Sequence, residues 1–449
     1  MHGTHERPRG GDIGGGVPGE ILFAVDELTR VEGEGSLRIR VRDGEVVDAR
    51  LRIFEAPRFF ERLVVGRTPD EVLDIVARIC GICPIAYQLT AVHAFESLFE
   101  VAVDPAVRLL RRLLYCGEWI ESHALHVYLL HAPDFLGLPS AIELARLDRA
   151  IVERGLRLKR IGNDILRIVG GRPIHPVSLR VGGLYRAPRR AELAGLRADL
   201  DEAVELAEAT VRLVATFEPP DFAARRLLVS LRHPVDYPMN EGRIVSSDGL
   251  DLAVPDWERA FREEQVEGTT ALHARTTGGE AYLLGPTARV ALAGDRLHPR
   301  ARAALDATGQ EVELATNVFR SILARAVELV HATAEARDLV DAYVPPDRAS
   351  VPWTPSAGSA AWATEAPRGL LFHRYDVDAT GIVRFARIVP PTSQNQAAIE
   401  ADLARFAPTV LALPHAEATR RFEQLIRSYD PCISCAAHFL QLDIDGGSS

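Results

Sequence analysis

Residues 78–83 read Arg-Ile-Cys-Gly-Ile-Cys, and residues 430–438 read Asp-Pro-Cys-Ile-Ser-Cys-Ala-Ala-His. Each stretch carries a Cys-x-x-Cys pair, a spacing that presents two thiolates on one side of a turn. Together Cys80, Cys83, Cys432 and Cys435 supply four soft donors, the usual route to zinc, an iron–sulfur cluster, or a nickel or copper centre. From spacing alone structural zinc leads, because closed zinc sites of four cysteines are common. Three features count against it. Structural zinc staples small local modules, whereas here almost the whole chain separates the pairs, and a core of this size needs no staple. Arg78 precedes the first pair and Asp430 the second, and His438 stands three residues after Cys435. A thiolate-rich centre with acid, base and guanidinium beside it is built for chemistry.

The chain around these pairs has 449 residues, 52 Lys and Arg against 62 Asp and Glu for a formal charge of −10, and 47% hydrophobic residues. That is a large globular composition with a sizeable core, about three domains by length or one large enzyme domain with insertions. The acidic balance and the lack of a basic block argue against nucleic acid as a partner. Lys159 is the only lysine, a skew that reads as codon bias. No stretch approaches the ~18 consecutive apolar residues of a membrane span, and Met1–Pro18 holds no apolar signal core, so a cytoplasmic location is expected. Five cysteines are too few for a disulfide framework at this length.

Residues 1–20, with a Gly-Gly-Gly run and no apolar period, read as a mobile tail. Alternation of Leu37, Ile39 and Val41 with Arg38, Arg40 and Arg42, then Asp43-Gly44 and a second run to Phe54, predicts a hairpin or small meander. A helix opens at Asp70-Glu71 and stops after Cys80. The stretches 84–100, 105–131, 141–169, 188–217 and 311–342 also read helical. In 188–217, Leu193, Leu196, Leu200, Val204, Ala207, Val211 and Val214 make one apolar face. Residues 218–297 read as irregular with short strands and 344–366 as an extended connection. Strands at 369–375 and 382–388 precede two final helices. The expected fold is α+β, predominantly α: a core bundle of long helices with a small N-terminal β-meander and short C-terminal strands.

RICGIC and DPCISCAAH resemble the two signature motifs of the catalytic large subunit of nickel–iron hydrogenases. The resemblance runs over nearly the whole chain from about residue 26 and includes, in family order, Arg30-Val31-Glu32-Gly33, Pro57-Arg58-Phe59-Phe60-Glu61, Glu121-Ser122-His123-Ala124-Leu125-His126, Gly171-Arg172-Pro173-Ile174-His175-Pro176 and Glu365-Ala366-Pro367-Arg368-Gly369. The PRFFE, RSYDPCISC and EAPRG wording is most similar to the cytoplasmic, NAD(P)-linked sulfhydrogenase-type branch. The resemblance implies the hydrogenase large-subunit fold, with residues 21–438 as a single catalytic domain.

It also implies a nickel–iron centre with carbon monoxide and cyanide on the iron. All four thiolates would bind nickel, Cys80 and Cys432 as terminal ligands and Cys83 and Cys435 as bridges to iron. Glu32 matches the glutamate that takes a proton on from Cys432. Arg368 matches the guanidinium over the open metal position, with Pro367 shaping the same wall and Asp430 pairing with the arginine. Thr392 aligns with a hydroxyl that hydrogen-bonds an iron-bound cyanide. Glu61 and His438, with a backbone carbonyl near Ile388, match the ligands of magnesium or a similar divalent ion. Tyr87 stands where many relatives have histidine, and Ser122 where membrane-bound relatives have aspartate. His123, His126 and His131 read as core or interface histidines, and Cys116 as a buried inert thiol.

Four ligands taken from five cysteines leave one, and one thiol cannot hold an iron–sulfur cluster. The resemblance therefore implies a small subunit carrying the clusters, diaphorase subunits carrying flavin and NAD(P), and a maturation chaperone and endopeptidase. In many relatives such a protease removes the residues after the final histidine, here 439–449. The competing readings are a four-cysteine zinc protein and the nickel-free relative in respiratory complex I, which generally lacks the thiolate pairs. A third keeps the metal site but takes sulfur, polysulfide or another cofactor as electron acceptor.

Overall fold

The computed structural model describes residues 20–54 and 59–437. The tail up to residue 19, Pro57 and Arg58 of the PRFFE motif, His438 and the extension 439–449 lie outside the described residues.

The N-terminal alternation produces an antiparallel meander of β1 (Glu20–Val25), β2 (Gly35–Arg42) and β3 (Glu45–Ile53). Leu37, Ile39 and Val41 are buried while the arginines between them face out. Asp43 and Gly44 both have positive φ, as a two-residue type I′ turn requires. The apolar face packs with Ile399, Leu403, Phe406 and Phe422 from the two C-terminal helices, Pro391–Val410 and His415–Ser428. The two ends of the sequence thus share one core.

The centre of the molecule is a helix bundle. α1 (Pro84–Leu98) leads to α2 (Pro105–Leu125), which packs between α3 (Arg149–Gly170) and α5 (Ser321–Ala342), and α4 (Arg197–Ala215) lies along α5. Asp104 caps α2 by accepting the Ala106 N–H at 2.7 Å, and Pro105 fills the first helical position. α3 buries Leu158, Ile161, Ile165 and Val169 along one stripe and stops at Gly171, which takes a left-handed φ of 88°. α2 and α3 touch backbone to backbone where two glycines meet. A Cβ on Gly162 would stand 2.6 Å from the Gly117 carbonyl and 2.7 Å from the Glu121 nitrogen. No helix among the described residues is long and apolar enough to cross a membrane.

The third layer is an antiparallel sheet of β4 (Gly358–Ala366), β5 (Gly369–Val377) and β6 (Val383–Val389), with β5 in the middle. Here the structure corrects the expectation of an extended connection over 344–366. Its second half is a nine-residue strand whose glycine and four alanines have weak intrinsic β preference, held by pairing along the whole of β5. The long helix expected over 188–217 breaks after Ala194 and restarts at Arg197. That over 311–342 breaks at Asn317, whose side chain accepts the Phe319 N–H. The segment 218–297 holds strands as expected but also the helix Pro286–Ala293.

The glycine contact sets a prediction. Gly162→Ala forces two backbones apart and lowers stability by about 1–3 kcal/mol, read as a fall in thermal unfolding temperature. Gly195→Ala, at φ −63 with no atom closer than 3.5 Å to the new Cβ, leaves the temperature level or slightly raised. Equal behaviour of the two variants contradicts the close-packed crossing.

Candidate metal centre

Cys80 and Cys83 occupy the turn between the helix Pro69–Val76 and α1. A capping box of Thr68 and Glu71 fixes the start of that helix, and Cys83 with Pro84 starts the next. Cys80 Sγ accepts the backbone N–H groups of Ile82 at 3.4 Å and Cys83 at 3.2 Å. The far end of the chain returns against the start: the Ile433 N–H donates to the Glu32 carbonyl at 3.0 Å, and Glu32 and Cys432 form a parallel bridge.

This closure brings all four cysteines together. Cys80 Sγ lies 2.8 Å from Cys83 Sγ and 3.7 Å from Cys432 Sγ, and the sulfurs of Cys80, Cys83 and Cys435 lie within 4.8 Å of one another. All four residues are buried. Two thiolates bound to one metal at about 2.3 Å stand roughly 3–4 Å apart, so the cluster has the size of a single site. Cys432 and Cys435 are joined as a disulfide in the structure, and binding a metal through both requires the reduced pair. Burial disfavours charge on Cys80, but its hydrogen bond from Cys83 and the Arg368 guanidinium outweigh this and lower its pKa. Cys83, whose S–H donates to that sulfur and is buried beside it, is held well above the usual thiol range.

Arg368 stands on the two-residue turn between β4 and β5, where Ala366 pairs with Gly369. Gly369 takes φ 135°, and a Cβ there would stand 2.6 Å from Leu284 Cβ, so only glycine lets the turn sit this low. Arg368 is buried, donates through Nε to the Asp430 carbonyl at 2.8 Å, and reaches Asp430 Oδ1 through Nη2 at 3.2 Å. Its Nη1 has no hydrogen-bond partner among the described residues. Burial opposes its charge, but Asp430, Cys83, Cys80 and Glu32 more than compensate and raise its pKa. Asp430 itself adopts φ 51°, a left-handed conformation uncommon outside glycine, and its other oxygen faces Arg325 Nε at 3.7 Å.

Glu32 Oε2 stands 3.2 Å from Cys432 Sγ and accepts the Ser434 N–H at 3.1 Å. The Thr392 hydroxyl accepts the Cys432 N–H at 2.9 Å, which leaves its own O–H free to donate elsewhere. Glu61, on the one-turn helix Phe60–Val64, accepts the Ile388 N–H at 2.6 Å. Residues on an antiparallel strand point N–H and C=O to the same side, so the Ile388 carbonyl also projects toward Glu61. A cavity of about 390 Å³ opens there, lined among others by Glu61, Ile79, Ile388, Cys435 and Ala437. The structure thus brings Glu32, Cys80, Cys83, Pro367, Arg368, Thr392, Asp430, Cys432 and Cys435 into one region with Glu61 and Ile388 at its edge, and His438 lies outside the described residues.

Tyr87, Ser122, His123, His126, His131 and Cys116 are also buried, whereas Arg78, expected beside the thiolates, is exposed and stands 4.0 Å from Asp74. Tyr87 packs its ring against His373. His123 contacts Glu328 at 3.0 Å, and His126 the Arg427 carbonyl at 2.7 Å. His126 begins a π-helical turn, His126–His131, that interrupts the helix expected through 131. Cys116 lies inside the bundle, where burial pushes its thiol pKa up.

Among the buried charges that the sequence did not point to are Arg289, Arg325 and Glu328. Arg289, with no exposed surface, contacts Glu328 twice at 2.7 Å and Glu365 at 2.9 Å, and holds the Ala366 and Pro367 carbonyls at 2.9 and 3.0 Å. It fixes the two residues ahead of Arg368. Arg325 and Glu328 come from α5, where with His331 they form a polar line at three-residue spacing in an otherwise apolar run. That spacing was the available signal. At Glu328 burial is outweighed by Arg289, which holds the carboxyl at about 2, while burial lifts Glu365 to about 7. Arg289→Met leaves two buried carboxylates without their cation, at a cost of about 3–5 kcal/mol. Thermal unfolding at the parental temperature contradicts this network.

Comparison with known proteins agrees with the geometry. Residues 58–154 and 270–438 match the family model described as nickel-dependent hydrogenase. The chain is 33% identical over 425 residues to sulfhydrogenase 2 subunit alpha of Pyrococcus furiosus, covering 94% of this chain and 100% of that one. It is 28% identical to the NAD-reducing hydrogenase HoxS subunit beta of Cupriavidus necator, covering 93% and 95%. The crystal structure of an NAD+-reducing [NiFe]-hydrogenase in its H2-reduced state superimposes with a TM-score of 0.84 at 27% identity, over 93% of this chain and 99% of that one. The chain belongs to the nickel-dependent hydrogenase family, as a large subunit of an oxidoreductase acting on dihydrogen.

Proposed function

We propose that the four-cysteine cluster is the site of reversible heterolytic dihydrogen cleavage. The observation that carries this is the convergence of Cys80, Cys83, Cys432 and Cys435 under an arginine with one unpaired nitrogen, with Glu32 3.2 Å from Cys432. Soft buried sulfurs suit nickel: the four thiolates would hold it, Cys83 and Cys435 would also hold an iron, and carbon monoxide and cyanide would complete that iron. When bound, such a centre supplies the Lewis-acid and redox chemistry that splits dihydrogen. Arg368 Nη1 orients the small neutral substrate and stabilises developing negative charge. Glu32 accepts the proton from Cys432 Sγ and passes it outward. Thr392 has an O–H to offer a cyanide nitrogen. Glu61, the Ile388 carbonyl and His438 hold magnesium or a similar hard ion, which ties the C-terminal segment down.

Electrons leave to a small subunit with iron–sulfur clusters, and on through flavin subunits to NAD(P). Exposed Ile174 and Val177 lie on a loop held to the turn before Cys80 by the His175 contact to the Ala77 carbonyl at 2.7 Å, an apolar face suited to that partner. The names of the relatives support both NAD and sulfur as acceptors. The protein works in the cytoplasm as one catalytic domain over 21–438, matured by a chaperone and an endopeptidase acting on 439–449.

Purified from a host with hydrogenase maturation machinery, the protein is expected to contain nickel and iron and to show carbon monoxide and cyanide infrared bands. Zinc alone, without those bands, contradicts the proposal. Cys432→Ser abolishes nickel retention and activity, whereas Glu32→Gln keeps the metals and slows dihydrogen/deuterium exchange about 100-fold or more. Unchanged exchange removes Glu32 from the proton route.

A further inference from the structure

α2 carries two buried carboxyl groups three residues apart, Glu118 and Glu121, which places them on one helix face. Glu118 accepts the N–H groups of Ile85 at 2.6 Å and Ala86 at 3.2 Å, at the start of the helix that follows Cys83. Glu121 instead meets Lys159 of α3, with Nζ 2.7 Å from Oε2. The lysine side chain is 29% exposed and the glutamate 5%, so the pair joins solvent to the interior. Lys159 is in contact with the Glu121 carboxylate, which also feels the charges of Glu118 on its own helix, Arg368 from the hairpin turn and Asp430 from the C-terminal segment. The last two line the proposed metal pocket. The reach of Lys159 depends on the Gly117–Gly162 contact, which brings α3 within backbone distance of Glu121.

Apart from the histidines, every other basic side chain of this protein is arginine. An arginine would neutralise Glu121 as well and grip the carboxylate at two points. Lysine differs in one respect that matters here: its ammonium can give up a proton, and a guanidinium cannot.

We propose that Glu121 and Lys159 form a second proton outlet from the metal pocket, separate from Glu32. The inference rests on that pocket being the site of dihydrogen cleavage. A proton from the pocket side binds the Glu121 carboxylate, while the Lys159 ammonium gives a proton to solvent water. The neutral carboxylic acid then passes its proton to the neutral amine, which restores the carboxylate–ammonium pair. One proton enters, one leaves and no electron moves. Burial already holds the Glu121 carboxyl above its usual range, so the neutral acid is within reach.

The test uses the enzyme assembled with its partner subunits. Glu32→Gln is expected to retain residual dihydrogen/deuterium exchange, and adding Lys159→Arg to lower that residue about tenfold or more with the carbon monoxide and cyanide bands unchanged. Equal exchange in the single and double variants overturns the outlet, because arginine keeps the charge and loses only proton transfer. No residual exchange in Glu32→Gln overturns it too. A second readout needs no activity. Lysine labelled with carbon-13 at the ε position in this chain alone gives one lysine signal, which shifts on Glu121→Gln in metal-free and loaded protein alike. A signal at the free-lysine position that ignores Glu121→Gln overturns the pairing. Missing metal bands in the unaltered enzyme fall on the metal-site reading, and the lysine signal still decides the pair.

Discussion

An arginine buried in protein stays charged, and the charge must be met. Arg368 meets Asp430, through its backbone carbonyl at 2.8 Å and its carboxylate at 3.2 Å, two residues before Cys432. This contact fastens the C-terminal segment beneath the β4–β5 turn and places its two cysteines opposite Cys80 and Cys83. It also holds Asp430 in a left-handed backbone conformation that costs on the order of 1–3 kcal/mol and persists only where surroundings enforce it. Together with the Glu32–Ile433 backbone bond and the Cys432 N–H to Thr392, the pair sets sulfurs 352 residues apart in sequence 3.7 Å from one another.

The pair is itself supported from behind. Arg289 holds the carbonyls that precede Arg368, Glu328 and Glu365 balance Arg289, and Arg325 stands on the far side of Asp430. Removing one partner from such a network strands a buried charge, so the members stand or fall together. The arrangement holds Arg368 in place while leaving its Nη1 without a hydrogen-bond partner among the described residues. A site that must act on a small neutral molecule gains more from fixed charge than from flexible contacts, because preorganised dipoles need no rearrangement during reaction.

Much of this was legible in the sequence, for identifiable reasons. Alternating Leu37, Ile39 and Val41 and the Asp43-Gly44 turn fix the meander locally, and the two Cys-x-x-Cys pairs carry their chemistry in their spacing. Asp430 stood out by its place before the second pair, but Arg368 and Glu32 came from resemblance rather than pattern, since a lone arginine after proline has no local signature. The strand over 358–366 was hidden because its small residues depend on β5 for their conformation. Arg289, Glu328 and Lys159 were hidden because burial of a charge is decided by partners distant in sequence. Lys159 was visible as the chain's single lysine, but its meaning needed the Gly117–Gly162 crossing that sets it against Glu121.

The central claim is that the four sulfurs hold one nickel-containing centre. Anomalous diffraction at the nickel and zinc absorption edges, from crystals of the matured enzyme, tests it most directly. The account predicts a nickel peak among the sulfurs of Cys80, Cys83, Cys432 and Cys435, on the Arg368 side of the cluster. A zinc peak at that position, or nickel bound elsewhere with the four sulfurs left as disulfides, contradicts it.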